Sequence, residues 1–218
     1  MATWLTHLRV AEKLLETLGN IEKTAFYVGA IAPDSGRMVG DFTYLPTKDV
    51  THWKREGVSY AQRFEDNAEF FKKYAEGEQD NAKFSFYLGY YVHILTDTIY
   101  VRDVIHPFIN KNGRPCWREN ITGIRKGWYE IDFRYLVKNN GYLPLGLLSG
   151  IEDFRVTSIE YFAPTDICER IRYAVELYAS PKVDPECVFF THNEADCENF
   201  VVYASAEIRK ILNEKHNI

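Results

Sequence analysis

The chain has 218 residues, of which 46% are hydrophobic and 26% are charged. This composition is typical of a globular protein with a buried core and excludes a chain that is disordered throughout. The formal net charge is −5 and no basic run exceeds two residues, which excludes the basic surface of a nucleic-acid-binding protein. A chain of this length is expected to form one domain over residues 1–218.

Apolar spacing predicts helices through the first half of the chain. The predicted helices cover residues 5–18, 22–32, 50–76 and 80–102. Pro33 ends the second, because proline disfavours helical backbone in the residue before it. The glycines and the proline of residues 35–48 predict an irregular segment. The helix over 80–102 is apolar nearly all round, so we expect it to lie at the centre of the fold.

The second half carries weaker patterns. Pro107, Gly113 and Pro115 predict a break, after which helical spacing returns. Further helices are predicted over residues 117–139, 165–179 and 194–215. Residues 141–164 show no single pattern. The whole is therefore expected to be all-α.

The sequence also bears on location and redox state. Its first residues lack the basic start and apolar run of a secretory signal, so a cytoplasmic protein without a transmembrane segment is expected. The apolar stretch 84–100 contains His93 and Asp97, which a membrane span tolerates only at considerable cost. The cysteines form no C-x-x-C pair and are interpreted as reduced thiols: Cys116, Cys168, Cys187 and Cys197.

His93 and Asp97 are the strongest candidates for metal ligands. Four residues apart on a helix, they point to the same face. A hydrogen-bonded pair at a helix interface is the ordinary alternative. However, the aromatic neighbours would bury both groups, and a buried carboxylate needs a charged or hydrogen-bonded partner such as a metal. Gly89, one turn earlier, leaves room for another backbone, either beside a site or in simple helix packing.

Three further residues are candidates with ordinary alternatives. His52 begins a predicted helix and would otherwise pack on Trp53. Asp34 follows Pro33 and would otherwise cap a turn. His7 lies in the first apolar stripe, where a satisfied core histidine is the usual case. Each signal is weak alone.

Together these segments resemble the zinc-dependent phospholipase C family. The motifs occur in the family's order: Thr6-His7-Leu8, Gly29-Ala30-Ile31-Ala32-Pro33-Asp34, Asp49-Val50-Thr51-His52 and Tyr90-Tyr91-Val92-His93-Ile94-Leu95-Thr96-Asp97. The resemblance covers roughly residues 3–105. It implies an all-α, single-domain multi-helix bundle related to the P1-type nucleases, with a metal site between helices.

The resemblance also implies roles for these residues. His52, His93 and Asp97 would hold one zinc ion, and Asp97 would bridge toward a second ion that His7 also holds. Asp34 would be a ligand or the base that positions the attacking water. One or two Zn²⁺ ions are expected, and the ligand types also admit Mn²⁺ or Fe²⁺. Asp132 is a further candidate ligand, with a surface salt bridge as the alternative.

Substrate contacts are expected from the segment 35–48, which joins two candidate ligands. Arg37 and Lys48 would meet a phosphate, and Phe42 and Tyr44 would cover it, unless the segment is an ordinary surface loop.

The predicted function is a phospholipase C-like phosphodiesterase: a metal-dependent hydrolase of phosphoric esters in which a metal-bound hydroxide attacks phosphorus. The expected substrate is a small phosphoester or a phospholipid headgroup. The alternative is a non-catalytic metal-binding scaffold with a closed ligand shell. An HD-type phosphohydrolase is excluded, because no His-Asp dipeptide occurs.

Overall fold

A computed structural model describes residues 2–39, 43–154 and 158–218. Its α-helices are α1 (Trp4–Leu15), α2 (Lys23–Gly29), α3 (Lys48–Thr51), α4 (Tyr60–Tyr74), α5 (Asn81–Tyr100), α6 (His106–Lys138), α7 (Leu143–Ser149), α8 (Asp166–Tyr178) and α9 (Glu194–His216). A 3₁₀ turn (Ala32–Asp34) follows α2, and one π-helical turn (Val101–Ile105) joins α5 to α6. Two short strands, β1 (Arg37–Val39) and β2 (Thr43–Leu45), pair antiparallel. The all-α prediction is confirmed.

Side chains at the helix starts explain where several helices begin. The residue before the helix accepts hydrogen bonds from the first free backbone N–H groups, which have no partner inside the helix. The residues that do so are Thr3 for α1, Glu22 for α2, Ser59 for α4 and Asp80 for α5. Asn193 and Asp196 form a reciprocal capping box at the start of α9.

Helix α5 lies at the centre of the molecule. Every residue from Ser85 to Tyr100 is buried, as expected for a helix that is apolar nearly all round. Tyr90 stacks on Phe70 of α4, with ring centroids 4.3 Å apart. None of the helices described here combines the length and apolar character that a membrane crossing requires.

Two glycines bring α2 and α5 into backbone contact. A Cβ atom on Gly89 would lie 2.9 Å from the carbonyl carbon of Phe26 and closer still to its oxygen. A Cβ atom on Gly29 would lie 2.8 Å from the backbone nitrogen of Tyr90. Only glycine permits this approach. The contact holds the end of α2, and the turn carrying Asp34, against the middle of α5.

The structure differs from the sequence prediction in four places. The helix predicted over 50–76 is two helices, α3 and α4, separated by Trp53 and Gly57 with φ of 48° and 70°. The helix predicted over 22–32 ends at Gly29. Helical structure begins at His106 rather than 117, although the predicted break is present at Gly113, whose φ of 85° and ψ of 153° are non-helical. The segment predicted to be irregular contains the β1–β2 hairpin.

The four cysteines are free thiols, and Cys168 and Cys197 are buried. The expectation that they form no disulfide is confirmed. Cys197 accepts a hydrogen bond from the guanidinium of Arg9 at 3.4 Å, and burial raises the pKa of its thiol to about 11. Neither metal-ligand group found among the described residues includes a cysteine.

Candidate metal centre

Five side chains able to ligate a metal converge in the interior and form a candidate metal centre, the metal centre for short. Its members are His7 from α1, Asp34 from the 3₁₀ turn, His52 at the end of α3, and His93 and Asp97 from α5. Their ligand atoms form two groups, within each of which all atoms lie within 4.8 Å of one another. One group is His7, His93 and Asp97, and the other is Asp34, His52 and His93.

The carboxylate of Asp97 lies between two histidines. Its Oδ1 is 3.4 Å from Nε2 of His7, and its Oδ2 is 3.4 Å from Nε2 of His52. Oδ1 also accepts a hydrogen bond from the backbone N–H of Ala2 at 2.9 Å. The rings of His7 and His93 stack, with centroids 3.6 Å apart and planes 6° apart. The two oxygens of Asp97 thus face different histidines, as a carboxylate bridging two ions would.

Hydrogen bonds fix the ring of His93. Its Nδ1 lies 2.8 Å from the backbone carbonyl of Ala30, and because a carbonyl only accepts, Nδ1 carries the proton. Its Nε2 is then the atom with a free lone pair, which is the usual orientation of a metal-binding histidine. Nδ1 of His52 is likewise engaged, 2.8 Å from the hydroxyl of Thr51.

Several polar atoms of the metal centre lack a hydrogen-bond partner among the described residues. They are Nε2 of His52, Nε2 of His93 and both ring nitrogens of His7, and all are buried. A buried polar atom without a partner costs free energy, so each such atom in a native protein needs an explanation. Imidazole nitrogens and carboxylate oxygens are ligands that zinc prefers. The donor set therefore fits a divalent metal.

The ionisation states also suit metal binding. Burial and the neighbouring ring of His7 hold the pKa of His93 well below its ordinary value, so its imidazole is neutral. Burial alone would raise the pKa of Asp34, but Lys48 and His52 hold it well below its usual range, so it is ionised. Metal ligands must be deprotonated to bind. These two side chains meet that condition at neutral pH.

Asp34 joins the metal centre to a surface cleft. Its Oδ2 accepts a hydrogen bond from the indole N–H of Trp4 at 2.8 Å, and its Oδ1 accepts one from Nζ of Lys48 at 2.9 Å. The cleft has a volume of about 650 Å³, and both of these partners line it together with Tyr44. Substrate bound in the cleft would therefore meet the metal centre on the side of Asp34.

The predicted substrate contacts divide into two groups. Lys48 and Tyr44 line the cleft. Arg37 does not line it: its side chain is 56% exposed and lies 3.5 Å from the carboxylate of Asp166. Phe42 lies outside the described residues. Sequence reasoning missed Arg125 and Arg170, which also line the cleft. Both lie on helices, where sequence alone takes an arginine for part of the solvated face.

Asp132 lies apart from both metal-ligand groups. It is buried, with 1% of its surface exposed, so the alternative of a surface salt bridge was wrong. Its two oxygens accept hydrogen bonds from the hydroxyls of Thr3 at 2.9 Å and Tyr178 at 2.7 Å. Burial raises its pKa to about 7. Asp132 thus joins the residue before α1 to the last residue of α8.

Comparison with known protein families gives a match over most of the chain. A family model described as zinc dependent phospholipase C matches residues 6–174, which is more than half of the chain and extends well beyond the motifs in the first 105 residues. No curated protein and no solved structure matches significantly.

Proposed function

The chain belongs to the zinc-dependent phospholipase C family, and we propose that its metal centre binds one or two zinc ions and hydrolyses a phosphodiester in the adjoining cleft. Membership of this family supports a metal-dependent phosphoric ester hydrolase. The observation that carries the proposal is the set of buried, unpartnered ring nitrogens of His7, His52 and His93, which face two carboxylates. One or two bound cations would satisfy Nε2 of His52, Nε2 of His93 and one ring nitrogen of His7.

The overlap of the two ligand groups limits how the ligands can be divided between two ions. His93 belongs to both groups, but its Nε2 has one lone pair and can bind one ion. If a first ion takes Asp34, His52 and His93, then His7 and Asp97 remain for a second. The alternative division places His7, His93 and Asp97 on one ion. In either division an ion would have at most three protein ligands, so a four-coordinate zinc would keep its fourth position for water, as in catalytic zinc sites.

The proposed reaction is attack of water on phosphorus: a new P–O bond forms, the P–O bond to the leaving alkoxide breaks, and the proton lost by the water ends on that alkoxide as the free alcohol. Zinc supplies a lowered pKa for coordinated water and an electrophile for the phosphoryl oxygens. Asp34 is ionised and faces both the metal centre and the cleft, so it is placed to ligate an ion or to accept a hydrogen bond from the attacking water. Lys48 lies beside it and would bind a phosphoryl oxygen. Mn²⁺ or Fe²⁺ could occupy the same ligands.

The expected substrate is a small phosphoester or a phospholipid headgroup. The cleft volume of about 650 Å³ is within the usual range for small-molecule sites. Tyr44 at its edge, 42% exposed, offers a ring to the group attached to the phosphate. Arg37 has no role in substrate binding here, because its side chain forms a salt bridge with Asp166.

The test is hydrolysis of bis-p-nitrophenyl phosphate by tag-free protein with and without a chelator. We expect turnover that the chelator abolishes and added zinc restores, and that His93→Ala removes. The matched control is His216→Ala: His216 stacks on Phe71 with ring centroids 3.8 Å apart, outside both ligand groups, so turnover should persist. Bound zinc without turnover on any phosphoester would favour the scaffold alternative, and chelator-resistant turnover would contradict the proposal.

A further inference from the structure

The charged side chains around the cleft are mainly cationic. Lys48, Arg125 from α6 and Arg170 from α8 line it, whereas Asp34 is the one carboxylate among the described lining residues. Asp34 is already engaged by Trp4 and Lys48. Among the described residues neither arginine forms a salt bridge. Arg125 and Arg170 therefore give the cleft positive charge that no carboxylate of the described residues pairs with in a salt bridge.

Arg170 has an unusual environment for a surface arginine. Its guanidinium carbon lies 5.3 Å from the ring centroid of Trp4, 5.7 Å from that of Tyr173 and 6.0 Å from that of Tyr44. Its Nε is buried and has no hydrogen-bond partner in the described part of the chain. The three rings hold the guanidinium in place through cation–π contacts. A pre-positioned guanidinium with an unused donor is suited to binding an oxyanion.

The same contacts argue against a cationic headgroup. A quaternary ammonium is recognised by the faces of aromatic side chains, and here Arg170 already lies against the rings of Trp4, Tyr44 and Tyr173. A second cation brought to these rings would meet the charge of Arg170 and, farther along the cleft, that of Arg125. The cleft should therefore discriminate against choline-like groups by charge repulsion as well as by occupancy.

We propose that the substrate carries a second anionic group besides the phosphate at the metal centre, and that Arg170, assisted by Arg125, binds it. This inference rests on the proposed function. The indole of Trp4 sets the spacing, because its N–H contacts Asp34 while its ring contacts Arg170. The distance between the second anionic group and the metal centre is therefore about the length of the Trp4 indole ring system. A phosphorylated polyol attached to the scissile phosphate has this form, either as a lipid headgroup or in a soluble diester.

The test compares three substrates on the zinc-loaded protein. They are a dihexanoyl lipid with a phosphorylated inositol headgroup, the soluble glycerol diester of the same headgroup, and dihexanoyl phosphatidylcholine. We expect kcat/KM to be at least about tenfold higher for the phosphorylated headgroup than for choline, since a charge-assisted hydrogen bond is gained and a repulsion avoided. Faster turnover of the lipid identifies a lipid source, and equal or faster turnover of the diester identifies a soluble one.

Variants test whether Arg170 causes the preference for the phosphorylated headgroup over choline. Arg170→Gln should reduce kcat/KM for the phosphorylated headgroup roughly 10- to 100-fold, and Arg170→Lys, which keeps the charge but not the fork of donors, should restore part of the loss. Arg172→Gln is the matched control, because Arg172 is exposed on the same helix and does not line the cleft. An unchanged preference in Arg170→Gln, or a preference for choline in the unmodified protein, would overturn the proposal.

A binding measurement separates this proposal from the proposed function. Inositol 1,4-bisphosphate is titrated into the zinc-loaded protein by calorimetry. Binding that Arg170→Gln weakens and Arg172→Gln does not supports the anion site, even if the protein hydrolyses none of the three substrates. Absence of binding, or equal binding by Arg170→Gln, overturns it, even if bis-p-nitrophenyl phosphate is hydrolysed.

Discussion

Replacement of Gly89 by alanine tests how the fold positions the metal centre. The new Cβ would lie 2.9 Å from the carbonyl carbon of Phe26, whereas ordinary contact begins at 3.4 Å. Helix α2 would have to move away from α5 by at least about 0.5 Å (3.4 − 2.9), and by more at the carbonyl oxygen. Because α2 leads directly into Ala30 and Asp34, the same movement would lengthen the hydrogen bond from His93 to the Ala30 carbonyl.

The expected destabilisation can be estimated from three effects. Overpacking of a tight interface costs about 1–3 kcal/mol, and loss of the buried hydrogen bond of His93 costs about 1–3 kcal/mol. The higher helix propensity of alanine returns about 1 kcal/mol. Together the three effects lower the free energy of unfolding by about 1–5 kcal/mol. The clash involves the backbone of Phe26, which no side-chain rotamer can relieve, so we expect the upper part of that range, about 3–5 kcal/mol.

The measurement is urea unfolding of the zinc-free protein, followed by zinc titration. Gly146→Ala is the control, because Gly146 lies in α7 with nothing within 4 Å of an added Cβ; it should be neutral or slightly stabilising. Gly89→Ala should unfold at lower urea concentration and bind zinc more weakly. If it equals the unmodified protein in both respects, the reasoning from the α2–α5 contact is refuted.

Three further predictions concern single side chains. Lys48→Met should raise the pKa of Asp34 and move the acid limb of the kcat/KM–pH profile to higher pH; an unmoved limb would contradict the role of Asp34. Trp4→Phe should keep zinc but lower turnover about fivefold or more, because Asp34 loses one hydrogen bond; full turnover would exclude that contact from function. The carboxyl of Asp132, whose pKa burial raises from 3.8 to about 7, favours folding below pH 4 and loses that benefit as pH rises through about 7. Relative to Asp132→Asn, the unmodified protein should therefore lose up to about 4 kcal/mol of unfolding free energy over that interval. The measurement is urea unfolding of both proteins from pH 4 to pH 7, and the same pH dependence in both would refute the raised pKa of Asp132.

The helices were predictable where a single physical signal dominates. Helix α5 is apolar on every side and begins after a capping aspartate, so its predicted bounds of 80–102 differ little from Asn81–Tyr100. The region before α4 was not predictable in the same way. Its apolar spacing continues past Trp53, whose φ of 48° ends the helix at a residue that is not a glycine. Strands of three residues are too short to show alternation, which is why the hairpin was missed.

The metal centre was only partly predictable from residues alone. The spacing of His93 and Asp97 places both on one helix face, but nothing local brings His7, Asp34 and His52 to them. That convergence was expected from the family resemblance, and in the structure it depends on the close approach of α2 to α5. Arg125 and Arg170 could not be found by either route, because the cleft they line forms only when helices distant in sequence pack together.

The most direct test of the account is the zinc content of tag-free protein after reconstitution and dialysis, measured by inductively coupled plasma mass spectrometry. We predict one or two zinc ions per chain, and a clear loss in His93→Ala, since His93 is shared by both ligand groups. A chain that retains no metal after reconstitution, or a His93→Ala variant with full zinc content, would contradict the assignment of the metal centre.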